Sequence, residues 1–192
     1  VNGIHAGFSA DVLEHAETLT LTIQDKGRDS HLDLEVFSID DAETREIDDA
    51  LSCRRENGGF VVGVHIADPA HIVLKGDCLD DAAVERPLSL YLPTTTVTMF
   101  PERVGCDLSS LVAGQERASL SFTIGFTEAG EMTTWSFAPA VVRVVGQADR
   151  RGGPRAAVRP VSRHRREARR GRRPSGRGGP ADDAPDADLL ED

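Results

Sequence analysis

Cysteine is scarce in this chain. The three that occur, Cys53, Cys78 and Cys106, are odd in number, widely spaced and free of any Cys-x-x-Cys pair. That pattern excludes a disulfide framework and offers no zinc site. Long apolar runs are missing as well: the best, Phe60 to Ala67, falls far short of the roughly 18 residues of a membrane span. The start, Val1-Asn2-Gly3-Ile4-His5, has neither the basic nor the apolar region of a secretory signal. These absences predict a cytoplasmic chain with no membrane partner, and we expect a monomer. Basic residues are few over most of the length. Residues 1–149 carry 10 Lys and Arg against 25 Asp and Glu, a net −15. Such a body is poorly suited to hold nucleic acid by charge, because phosphate binding rests on Lys and Arg. The cations gather instead in residues 150–180, with 12 Arg and one Glu, ahead of six acids in residues 181–192.

What the chain does have is a crowd of carboxylates between Ile39 and Leu51, including Asp40, Glu46, Asp48 and Asp49. Like charges packed into one turn repel unless a cation holds them. Hard divalent ions such as Mg²⁺ take oxygen ligands, often one or two carboxylates together with a substrate phosphate. Two such ions can stabilise the attacking and leaving oxygens of a phosphodiester together. An EF-hand does not fit. Aligned on Asp40, it puts Ala42, Thr44, Arg45 and Leu51 where ligating oxygens, the turn glycine and the closing glutamate are needed. A solvated surface loop is the plain alternative, but apolar runs flank the acids on both sides and aim them from strand ends.

The remaining pattern predicts an α+β fold: a mixed, largely antiparallel β-sheet with peripheral helices. Ser9 precedes a short helix through Glu17, which reads as a lead-in over residues 1–29. Strands are expected from Phe37 to Asp40, Ala50 to Arg55 and Phe60 to Asp68, the last two joined by a turn at Asn57-Gly58-Gly59. Asp77 can cap a helix through Glu85, stopped by Arg86-Pro87. A second hairpin runs from Leu120 through Glu128-Ala129-Gly130 to Val144. Phe122, Phe126 and Trp135 are expected in the core, and His65 reads as a core histidine with a bonded ring nitrogen.

Five collinear blocks then resemble one family. Phe37-Ser38-Ile39-Asp40 with Glu46-Ile47-Asp48-Asp49-Ala50-Leu51-Ser52 and Val62 to Asp68, then Gly76 to Asp80, Tyr91-Leu92-Pro93, Met99 to Glu102 and Leu108-Ser109-Ser110-Leu111 are similar to the opening of the RNB domain of the ribonuclease II/ribonuclease R exoribonucleases. The resemblance covers about residues 30–145. It implies an Mg²⁺-dependent 3′-to-5′ exoribonuclease that hydrolyses single-stranded RNA to nucleoside 5′-monophosphates. By the same resemblance Asp40, Glu46, Asp48 and Asp49 form the metal set, with Asp40 and Asp49 as direct ligands and Asp48 as the catalytic carboxylate. Glu46 departs from the family's Asp by one methylene. Tyr91, the only tyrosine, matches an RNA-binding position at which a base stacks.

From about residue 146 the texture changes to Gly, Arg, Pro, Ala and Asp, which cannot bury a core and predicts disorder over 146–192. The resemblance also stops there, short of the family's phosphate-assisting arginine and basic RNA channel. We read this tail as the product of a reading-frame shift in GC-rich coding sequence; the alternative is a basic arm making a non-catalytic RNA-binding or regulatory fragment. Little or no processive activity is expected of such a shortened chain. A sheet cut at this point predicts an unpaired apolar edge and poor solubility.

Overall fold

Asn57 and Gly58 turn the chain back on itself with φ values of 51° and 75°, the left-handed conformations that suit a two-residue hairpin loop. The computed structural model describes residues 7–23, 27–41 and 43–148. Around this turn β3 (Asp49–Glu56) and β4 (Gly59–Ala67) pair antiparallel from Glu56 opposite Gly59 to Asp49 opposite Ile66. The second expected hairpin also forms, with β7 (Glu116–Thr127) antiparallel to β8 (Met132–Ala148). β7 lies antiparallel against β4. β2 (Val36–Ile39) is antiparallel to β3 and parallel to β8, and β1 (Asp29–Ser30) is parallel to β8. The sheet is therefore mixed and largely antiparallel, as expected. Because β8 pairs with β2 at one end and β7 at the other, the sheet closes on itself.

Closure decides which side chains can point inward. Few strands enclose little volume, and the enclosed side carries small or compact groups: Val36, Ser38, Ala50, Ser52, His65, Ser119 and Ser121 are all buried. His65 shows the bonded core setting expected of it, with Nε2 3.0 Å from Ser52 Oγ and Nδ1 2.8 Å from Ser121 Oγ. Strand alternation then sends the bulky set outward. Trp135 pairs with Ile124 and Phe137 with Phe122 on the outer face. The expectation of a core Trp135 is thus corrected: it is 62% exposed, and Phe122 and Phe126 are only half-buried. The apolar surface is a face of the sheet. It is not the unpaired edge predicted from sequence, since β8 finds partners in β7, β1 and β2.

Two apolar clusters stabilise the described unit. Val36, Ile47, Ala50, Leu111, Val142 and Val144 form one at the enclosed side of the sheet. The other joins α1 (Ala10–Thr18) to α2 (Cys78–Glu85) through Val12, Ala16, Val73, Leu79 and Val104. Asp77 caps α2 as predicted, accepting from Leu79 N at 2.9 Å and Asp80 N at 2.8 Å. Ser9 occupies the N-cap position of α1 but its side chain makes no cap bond. Residues 146–148, placed in the tail by composition, instead continue β8 opposite Phe37, Ser38 and Ile39. The rest of the predicted tail lies outside the described residues. Among the described residues no helix is long and apolar enough to cross a membrane.

Candidate metal centre

The acidic turn is fixed through its backbone before any side chain is considered. Ile47 is buried in the first cluster; its N–H donates to Ser110 Oγ at 3.0 Å and its carbonyl accepts from Leu111 N at 2.9 Å. Ser110 Oγ also donates to the Arg45 carbonyl at 3.2 Å, so one buried hydroxyl brackets Glu46 on both sides. One residue further, Ala67 N donates to the Asp48 carbonyl at 2.8 Å, and β3 begins at Asp49. Strand-like alternation around an inward Ile47 sends Glu46 and Asp48 the other way.

All four carboxylates expected at the site line one cavity of about 740 Å³, together with Tyr91 and Cys106. Asp40 enters from the end of β2, Asp48 and Asp49 from the start of β3. Asp48 sits at the rim with part of its surface in solvent, yet its pKa is raised above the ordinary carboxylate value. Partial desolvation contributes most, followed by the negative charges of Glu46, Asp49 and Asp40. Crowded, partly desolvated carboxylates of this kind favour a cation among them.

The four do not form a ready-made cage. Among the described residues no three His, Cys, Asp or Glu side chains are grouped so that they could hold one ion. This arrangement still fits magnesium, which needs only one or two protein carboxylates and completes its shell with water and phosphate oxygens. The donor set is all oxygen and hard, as that ion requires. Glu46 is differently employed. Its Oε2 accepts from Ser89 Oγ at 3.1 Å and from Tyr91 Oη at 3.2 Å.

Tyr91 stands on β5 (Leu90–Leu92), which among the described residues pairs only with β6 (Thr95–Val97). The residue is 69% exposed and lines the cavity. Desolvation first, and then the charge of Glu46, raises the phenol's pKa. The Cys106 thiol, raised by burial and then by Glu46, lines the cavity on the π-helical turn Arg103–Leu108. Arg45 forms an ion pair with Glu102 beside it. Sequence reasoning missed Ser89, Gly105, Cys106 and the bracketing role of Ser110. Only Ser110 had a signal, since it lies in one of the matched blocks.

The enclosed sheet and the acidic pocket at its strand ends lie together in a segment that known proteins share. The RNB domain family matches residues 28–150. The chain belongs to that family. It is 31% identical over 140 residues to ribonuclease R of Thermotoga maritima, spanning 71% of this chain and 20% of that protein. It is 32% identical over 142 residues to the human exosome complex exonuclease RRP44, spanning 72% and 15%. Among solved structures, Mycoplasma genitalium RNase R in complex with ribose-methylated single-stranded RNA superposes with a TM-score of 0.70 at 28% identity, covering 74% of this chain and 23% of that one. The matched segment thus covers between 13% and 21% of the length of these curated relatives.

Proposed function

We propose that this chain carries the metal-binding portion of an Mg²⁺-dependent 3′-to-5′ exoribonuclease acting on single-stranded RNA. The observation that supports it most is the meeting of Asp40, Asp48, Asp49 and Tyr91 at one cavity inside the segment that matches the RNB domain. Asp40 and Asp49 hold the ion, and Asp48 orients the attacking water and accepts its hydrogen bond. Bound magnesium supplies charge neutralisation at the phosphate. Water oxygen attacks phosphorus and loses a proton, the bond to the 3′ oxygen of the preceding nucleotide breaks, that oxygen takes up a proton to become the new 3′ hydroxyl, and a nucleoside 5′-monophosphate leaves. Tyr91 offers its exposed ring to a base, a contact worth about 1–3 kcal/mol that is indifferent to sequence.

Little processive turnover is expected from this chain, because an acidic body holds RNA weakly. Direct ion binding is the sharper test. Electron paramagnetic resonance titration with Mn²⁺ as the magnesium substitute should give saturable binding that Asp48→Asn weakens about 10-fold or more. End-labelled oligo-RNA with Mg²⁺ should release mononucleotides slowly from the 3′ end, and Asp48→Asn should abolish the release. Absence of saturable Mn²⁺ binding would remove the proposal; salt-sensitive RNA binding without release would favour the non-catalytic alternative.

A further inference from the structure

Glu46 has two hydroxyl partners on one oxygen and Gly105 packed against the other. Oε2 accepts from two hydroxyls, Ser89 at 3.1 Å and Tyr91 at 3.2 Å. Oε1 lies over Gly105, so close that a Cβ built there would come within 2.4 Å of it. Ser89 Oγ in turn accepts from Met99 N at 2.9 Å. A chain of bonds therefore runs from Met99 through Ser89 to Glu46, and joins the acidic turn to both ends of the β5–β6 hairpin.

That hairpin needs an anchor. It is a separate two-stranded sheet of three-residue strands, a size that is marginal alone in water. Tyr91 and Leu92 are exposed, and of its strand residues only Val97 is buried. A carboxylate accepting from two hydroxyls makes charge-assisted bonds, stronger than neutral ones. The two hydroxyls on Oε2 and Gly105 against Oε1 fix the direction of the carboxylate toward the hairpin and the π-helical turn.

We infer that Glu46 is a positioning residue that holds the Tyr91 ring at the cavity and is not one of the metal ligands. This deepens the proposed function, on which its consequence for RNA rests, and leaves the ion to Asp40 and Asp49, with Asp48 at the attacking water. The longer side chain is what the task requires, since an aspartate at this position would end one methylene short of the two hydroxyls. Gly105 is part of the same device, because its missing side chain is the space in which the carboxylate lies.

Two independent readouts test this. Tyr91 is the only tyrosine, so the Raman Fermi-doublet ratio of the phenol reports its donor bond without background. Glu46→Ala and Glu46→Asp should both move that ratio toward the value for a phenol in water, and Glu46→Gln, which retains an acceptor oxygen, should restore most of it. Gly105→Ala should move it as well, with Glu46 intact, by displacing the carboxylate. Mn²⁺ affinity should change by no more than about twofold in Glu46→Ala, against about 10-fold or more in Asp48→Asn. An unchanged Raman ratio in Glu46→Ala overturns the inference. A loss of Mn²⁺ affinity in Glu46→Ala equal to that in Asp48→Asn overturns it too. Should the wild-type chain bind no Mn²⁺, the metal reading falls and the Raman series alone decides the tether.

Discussion

Acidification should destabilise this fold through one buried ring. His65 is fully buried, lodged between Ser52 on β3 and Ser121 on β7, with His31 edge-on at 5.5 Å between ring centroids. Burial, and then the neighbouring His31, lowers its pKa from 6.5 to about 4. Among the described residues the groups hydrogen-bonded to it are two hydroxyls. In the unfolded chain the ring takes a proton below about pH 6.5, while the folded chain refuses one until about pH 4. The unfolded state therefore binds more protons across that window, and stability falls as pH falls. At about 1.4 kcal/mol per unit, the loss reaches about 1.4 kcal/mol at pH 5.5 and approaches about 3 kcal/mol below pH 4. Urea unfolding followed by far-UV circular dichroism at pH 7.0 and 5.5 measures it, both above the sequence pI of about 5.0. His65→Gln keeps a side chain able to bond one serine but cannot titrate, so its stability should fall by about 1.2 kcal/mol less between the two pH values. Parallel losses in the two proteins would refute the burial of a neutral His65.

Removing the bracketing hydroxyl with Ser110→Ala should strand the Ile47 N–H and cost about 1–3 kcal/mol, read as a lower urea midpoint; an unchanged midpoint would mean that the turn is held elsewhere. The outer face of β7 and β8, with Met132, Trp135 and Phe137 exposed, should drive self-association. Trp135→Ser with Phe137→Ser should shift the sedimentation profile toward monomer, and equal aggregation in the double variant would exonerate that face.

How much of this was legible in the sequence follows from what each residue's neighbours are. Asn57-Gly58, Asp77 and the alternation of β3 and β4 act locally, so their elements emerged within a residue or so of their observed bounds. The closure of the sheet could not be read, because it depends on β8 reaching β2 more than a hundred positions away in sequence, and no local pattern carries that pairing. Trp135 and the fate of residues 146–148 were misjudged for that one reason. A large aromatic on an alternating strand belongs to the core only when the inner side has room for it, and here serines and His65 already fill the inner side. At the site, the acids advertised themselves by their charge and their spacing, whereas the groups that sort them into separate tasks did not. Ser89, Gly105 and Ser110 are small, common residues whose meaning comes only from standing beside Glu46 or Ile47. A single methylene at position 46 therefore looked like an imperfect ligand in the sequence, and only the hydroxyls across the cavity give the extra length a use.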